Sequence, residues 1–152
     1  MGQRSAWRLT AGQAMTQEHS VLHIGIAEFA DPTLLLIGDA TSLCWLADQI
    51  DARRDIKLAE MTGFVHETKI GLHLVPATRS GSLTRLGDAF DWEISAVEAQ
   101  QFAQQLRELA AGASPAHAYL DPESNPADVQ VVASIGEYDP VKVFLIGKLP
   151  QP

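Results

Sequence analysis

Residues 89–112, which read AFDWEISAVEAQQFAQQLRELAAG, decide the fold class. Their first six residues alternate apolar and polar side chains, which is typical of a strand with one buried and one solvated face. The apolar members of this strand are Phe90, Trp92 and Ile94. Ser95 and Glu98 then form a capping box, in which the two side chains satisfy backbone N–H groups that the first helical turn leaves unpaired. Apolar residues recur at helical spacing as far as Gly112, a typical C-terminal stop. The stretch predicts a strand followed by a helix over about 95–111.

The N-terminal half has the same order of strand, helix and strand. Two apolar runs, 21–29 and 33–38, are separated by an Asp-Pro turn and predict a β-hairpin. Asp39 is placed to cap a helix. That helix has a buried stripe at three- and four-residue spacing, formed by Leu43, Leu46, Ala47 and Ile50. The similar order of the two halves hints at a duplicated unit, although the residues themselves do not align as a repeat.

The remaining apolar runs complete an α+β fold. Further strands are predicted over 70–75, 116–120, 129–134 and 141–146, and the Ser-Gly-Ser stretch within 79–86 predicts an exposed loop. The economical packing is a mostly antiparallel sheet with two main helices on one face.

Length and composition predict one domain. The chain has 152 residues, of which 46% are hydrophobic and 20% charged, enough to build one core. We assign residues 15–148 to a single α+β domain and residues 1–14 to a flexible N-terminal extension, with Met1 and Met15 as alternative starts. No apolar run approaches the roughly 18 residues that span a bilayer, and the N-terminus lacks the apolar stretch of a secretory signal. We expect a cytoplasmic protein.

The only cysteine, Cys44, excludes an internal disulfide and fits a reducing compartment. It lies in the apolar run Ser-Leu-Cys-Trp-Leu. The sequence therefore predicts a buried side chain that acts as a small hydrophobe.

The charge distribution favours a basic protein partner. The formal net charge is −8 and the pI is about 4.9. Residues 87–141 carry ten acids against one base, Arg107. Nucleic acid and anionic membranes attract proteins through clusters of Lys and Arg, so neither is an expected partner.

Motifs for catalysis, nucleotide binding and metal binding are absent from the sequence. It contains no HExxH, no GxSxG and no glycine-rich phosphate loop. We therefore predict no cofactor and no metal site, and a non-enzymatic role ahead of an enzymatic one.

Two groups of residues are candidates for function. The first is a surface of acids with aromatic anchors that would bind a basic partner, and it comprises Tyr119, Asp121, Glu123, Glu137, Tyr138 and Asp139. The second is an alternative polar cluster for a small enzyme or metal-binding protein, and it comprises His66, Glu67, His73 and His117. A homodimer joined through sheet faces or edges is compatible with both.

Several short stretches between residues 33 and 140 resemble the small bacterial immunity-type proteins that accompany secreted toxins, and related uncharacterised families. These stretches are Leu72-His73-Leu74, the capped helix from Ser95, His117-Ala118-Tyr119-Leu120-Asp121, and Gly136-Glu137-Tyr138. The resemblance implies a small, acidic, cytoplasmic protein that blocks a toxin surface without chemistry. It implies no catalytic residues.

Overall fold

The computed structural model describes residues 22–58, 70–140 and 142–144. Within these ranges two main helices and eight strands follow each other, before a short helical segment near residue 144, as β1 His23–Glu28, β2 Pro32–Ile37, α1 Ala40–Asp51, β3 Ile56–Lys57, β4 Gly71–Pro76, β5 Ser82–Leu86, β6 Ala89–Ile94, α2 Ala96–Ala111, β7 Ala116–Tyr119 and β8 Gln130–Ile135. The predicted extension over 1–14 lies outside the described residues. Neither α1 nor α2 is long and apolar enough to cross a membrane.

The strands form two mixed sheets. Sheet 1 has the order β1-β2-β8-β7, and sheet 2 has the order β3-β4-β6-β5. In each sheet the central pair is parallel, namely β2 with β8 and β4 with β6, while the outer pairs are antiparallel. The predicted α+β class and the β1–β2 hairpin are therefore confirmed. The strands are divided between two sheets, however, and neither sheet is purely antiparallel.

The topology is duplicated, with strands exchanged between the halves. The first half runs β1-β2-α1-β3-β4 and the second runs β5-β6-α2-β7-β8. Each sheet contains one antiparallel strand pair from each half of the chain. If every strand is replaced by its counterpart in the other half, the strand order of sheet 1 becomes the strand order of sheet 2. Both parallel pairs join strands that are distant in sequence. Neither half can therefore complete a sheet without the other.

Both helices begin at a capping box. The sequence predicts the one at Ser95 and predicts Asp39 as a cap, but it does not predict the returning bond from Ser42. Asp39 accepts the backbone N–H of Ser42 at 2.8 Å, and the Ser42 hydroxyl accepts the N–H of Asp39 at 3.0 Å. At α2, the N–H of Glu98 donates to Ser95 Oγ at 3.1 Å and the N–H of Ser95 donates to Glu98 Oε1 at 3.0 Å. These bonds fix both helix starts directly after the end of a central strand.

A single core cluster contains buried side chains from both sheets and both helices. The predicted stripe of α1 is buried in it, together with the apolar face of α2. Trp92 of β6 packs on Phe102 of α2 with ring centroids 5.3 Å apart. The core therefore ties the helices to the sheets.

The outer face of sheet 1 is also apolar, and the C-terminal segment covers it. Phe144 is 1% exposed and packs with Val143 on side chains of β1, β2 and β8, namely Ala27, Leu35, Ile37 and Val132. Residues 142–144 are helical, so the prediction of a strand over 141–146 is wrong there. Two features favour the helix. Pro140 precedes these residues, and proline is favoured in a first helical turn. The N–H of Val143 also donates to Asp139 O at 2.9 Å.

Two further predictions are wrong. The sequence predicts an exposed loop over 79–86. Residues 79–81 lie outside the strands, but Ser82–Leu86 is β5, whose neighbours on both sides supply hydrogen-bond partners. Cys44 is exposed. It lies one residue after Leu43, about 100° around the helix from the buried stripe.

Candidate functional site

A groove of about 360 Å³ lies between α2 and β7. Its lining contains two residues of the predicted partner-binding surface, Tyr119 and Asp121. The other lining residues belong to α2 and are Gln101, Phe102, Gln104, Gln105 and Glu108. Tyr119 ends β7, which is one of the two edge strands of sheet 1, and the residue is 50% exposed. The groove is thus bounded by a helix on one side and a sheet edge on the other.

The polar face of α2 forms one wall. The three glutamines and Glu108 recur at three- and four-residue spacing, which places them on one side of a helix. Gln105 Nε2 donates to the carbonyl oxygen of Tyr119 at 2.9 Å, and Gln104 Nε2 donates to Glu108 Oε2 at 3.0 Å. The first bond holds the helix beside the end of β7. Sequence reasoning missed this wall, although the polar spacing that marks it was visible.

The groove is negatively charged. Its described lining includes the carboxylates of Glu108 and Asp121 and contains no Lys or Arg. Arg107 belongs to the same helix but turns toward α1, where its guanidinium contacts Asp48 at 2.8 Å and Asp51 at 3.3 Å. The hydrogen bond to Asp48 is the main cause that raises the pKa of Arg107 above its ordinary value. The guanidinium of Arg107 is therefore paired with acids of α1 and does not line the groove.

His117 extends the site along β7. Its ring meets that of Tyr119 edge to face, with centroids 5.4 Å apart. Its Nδ1 lies 2.8 Å from Glu137 Oε2, and the Ser134 hydroxyl donates to Glu137 Oε1 at 3.0 Å. His117 therefore joins Glu137 and Tyr119 of the predicted partner-binding surface, although the sequence analysis placed it in the alternative polar cluster.

The other predicted surface residues make separate contacts. Glu123 accepts the N–H of Gly81 at 2.6 Å through its carboxylate, and donates its own N–H to Glu98 Oε2 at 2.8 Å. The first bond attaches the loop before β8 to the residue that precedes β5, and the second attaches it to the start of α2. Tyr138 is 38% exposed and stacks on Phe29 with centroids 5.6 Å apart. Asp139 precedes the C-terminal helical residues. The groove itself therefore contains only Tyr119 and Asp121 of the six.

The alternative polar cluster is not brought together in the described residues. His73 lies on β4 in sheet 2, whereas His117 lies on β7 in sheet 1. His66 and Glu67 lie outside the described residues. In the ranges that the structure describes, no group of three or more His, Cys, Asp or Glu side chains could hold a metal ion.

His73 has acidic neighbours of its own. Its Nε2 lies 2.5 Å from Asp55 Oδ1 and its Nδ1 lies 3.5 Å from Asp91 Oδ1. The strand registers align a polar row across the outer face of sheet 2, made of Lys57, His73, Asp91 and Thr84. Part of this row lines a second cleft, of about 430 Å³. The alternation in β6 placed Asp91 on a solvated face, but no local signal indicated that β4 lies beside it.

Comparisons of the chain with protein-family models, with curated proteins and with solved structures find no match.

Proposed function

We propose that this protein is a non-enzymatic binding protein whose groove between β7 and α2 takes a basic segment of a protein partner. The observation that carries the proposal is a half-exposed tyrosine, Tyr119, beside a groove that has two carboxylates and no cation among its described lining residues.

Each part of the groove has a role that suits binding. Tyrosine buries a large rigid ring at a low cost in conformational entropy, and tyrosines are enriched among the residues that dominate interface energies. The glutamine side chains each offer donors and an acceptor to a polar segment. The carboxylates of Glu108 and Asp121 attract a basic partner and speed the encounter.

The resemblance to immunity-type proteins extends this proposal to a class of partner. On that basis the partner is a secreted toxin, and the basic segment belongs to a surface whose function is blocked when this protein covers it. Such a role needs shape and charge but no chemistry. It accords with the expected absence of a cofactor.

The test uses a library of random dodecapeptides displayed on phage and selected on the full-length protein. We expect the selected peptides to be rich in Lys and Arg. Their affinity should fall as salt is raised from about 50 to 500 mM, because screening weakens attraction between exposed charges. The double substitution Glu108→Lys with Asp121→Lys should weaken binding by about tenfold or more.

A matched control reverses two exposed acids outside the groove, Glu28 on β1 and Asp88 before β6. Both double variants change the net charge equally. If they weaken binding equally, the overall charge rather than the groove attracts the peptides, and the proposal is wrong.

A second candidate function rests on His73. An imidazole held between two carboxylates is suited to proton transfer, and the adjacent cleft offers space for a small molecule. The corresponding proposal is a small enzyme in which His73 transfers a proton. A screen of small-molecule substrates with the purified protein and with the His73→Ala variant tests it: turnover that disappears in the variant favours it, and turnover that the variant retains contradicts it.

A further inference from the structure

We infer that the partner segment binds as an additional β-strand along β7. The inference rests on the proposed function and specifies how the groove holds its occupant. In β-strand addition the main chain supplies hydrogen bonds, and alternate side chains of the added segment supply specificity.

The backbone of β7 presents hydrogen-bonding groups to the groove side. β7 pairs with β8 in antiparallel register, and the N–H of Leu120 donates to Val131 O at 3.0 Å. Because antiparallel residues alternate between facing the partner strand and facing away, Ala116 and Ala118 also face β8. His117 and Tyr119 therefore direct their N–H groups away from the sheet, and in the described part of the chain neither N–H has an acceptor.

The backbone groups of β7 that face away from β8 could pair with a short added strand. The Tyr119 carbonyl is already bonded to Gln105. The N–H and C=O of His117 and the N–H of Tyr119 remain for an added strand. The outer edge of β5 in sheet 2, by contrast, already has partners within the chain, because Leu83 exchanges backbone hydrogen bonds with Ser124 and Ala127 at 2.9 and 3.0 Å.

Charge selects the occupant. An added strand directs alternate side chains to the same face, so lysine or arginine at every second position can lie near Glu108 and Asp121. A second copy of this chain would bring another β7 with the same neighbouring acids, and like charges would oppose that pairing. The occupant that fits is an extended segment with basic residues at alternate positions.

The experiment measures amide hydrogen exchange with and without a peptide selected from the dodecapeptide library. In the free protein the amides of Ala118 and Leu120 should exchange slowly, whereas those of His117 and Tyr119 should exchange fast. Saturation with the peptide should slow exchange at His117 and Tyr119 by about tenfold or more, since each gains a hydrogen bond. Unchanged exchange at both amides overturns the inference.

A pair of variants tests the same bond by affinity. His117→Pro removes the outward N–H and obstructs an added strand, whereas His117→Ala removes the same imidazole but keeps the N–H. We expect the proline variant to bind the peptide about tenfold more weakly than the alanine variant. Equal affinities would refute strand addition. Circular dichroism and thermal unfolding confirm that both variants are folded.

The outcomes separate this inference from the proposed function. If charge reversal in the groove weakens binding but proline does not, the acidic groove stands and strand addition fails. If charge reversal does not change the affinity for the peptide, the proposed function is wrong, regardless of the affinity of the His117→Pro variant. If protection of His117 and Tyr119 rises with protein concentration in the absence of peptide, the occupant is a second copy and the inference of a basic partner is wrong.

Discussion

The guanidinium of Arg53 donates to the carbonyl oxygen of Ile94 at 2.6 Å, across 41 residues of sequence. Its other terminal nitrogen donates to Ala77 O at 2.7 Å. Ile94 ends β6 and Ala77 follows β4, so one side chain ties the end of α1 to the carboxyl ends of the two parallel strands of sheet 2. Arg53 does this from a left-handed backbone, with φ of 59° directly after the C-cap of α1.

Two substitutions of Arg53 should distinguish the stabilisation that its hydrogen bonds provide from the destabilisation that its left-handed backbone causes. Arg53→Ala loses two hydrogen bonds from a charged donor and should lower the free energy of unfolding by about 2–3 kcal/mol. Arg53→Gly loses the same bonds but relieves a left-handed conformation that costs about 1 kcal/mol in a residue with a Cβ. Urea unfolding should therefore rank wild type above the glycine variant and the glycine variant above the alanine variant. A glycine variant less stable than the alanine variant would contradict this.

A second stability prediction concerns Gly81, which is buried beside the carboxylate of Glu98. A Cβ at Gly81 would collide with Glu98 Oε1 and lie 2.7 Å from the carbonyl oxygen of Glu93. The carboxylate cannot turn away, because it accepts the N–H groups of both Ser95 and Glu123. We expect Gly81→Ala to cost about 2–3 kcal/mol of unfolding free energy.

Gly71→Ala is the matched control for Gly81→Ala. There the nearest atoms to an added Cβ belong to Ala89 at 3.9 Å, which is an ordinary contact. Gly71 also has no left-handed backbone to maintain. Chemical denaturation should show a change within about 0.5 kcal/mol. Equal losses at the two positions would mean that the contact with Glu98 is not what restricts Gly81.

Trp92 should tolerate loss of its indole nitrogen. In the described part of the chain, Trp92 Nε1 is the buried side-chain polar atom without a hydrogen-bond partner. Trp92→Phe removes that unpaired donor and retains an aromatic ring against Phe102, so the gain offsets part of the lost volume. We expect a loss below about 1.5 kcal/mol, against about 3–5 kcal/mol for Trp92→Ala. Thermal unfolding of the two variants measures the difference, and equal losses would contradict this prediction.

The elements themselves were largely predictable from the sequence, since their signals are local. The capping box at Ser95 and the apolar stripe after it define α2, and the alternation before it defines β6. The strand over 82–86 was missed because the Ser-Gly-Ser stretch at 80–82, which overlaps its first residue, favours a loop. The pairing that makes it a strand comes from β6 and from residues 124–127. The prediction for Cys44 was wrong because it was based on the apolar run alone. The position of Cys44 around the helix, outside the buried stripe, was not taken into account.

The arrangement of the strands and the groove could not be predicted in the same way. Both parallel pairs join strands from different halves of the chain, and no local pattern specifies which distant strand is a neighbour. For the same reason, the sequence placed His117 with His73, whereas the sheets bring it to Glu137 and Tyr119. The charge of the groove was predictable, because the excess of acids in residues 87–141 is a property of the sequence.

The edge position of β7 leads to a final stability prediction, which needs no partner. Proline lacks an N–H and is tolerated only where that group faces away from the ladder. His117→Pro should therefore cost less than about 1 kcal/mol relative to His117→Ala, which also loses the contact with Glu137. Ala118→Pro removes an N–H that faces β8 and should cost about 3 kcal/mol or more. Urea unfolding of the three variants tests this alternation. Similar losses for the two prolines would mean that His117 does not direct its N–H outward, and the sheet edge on which strand addition depends would not exist.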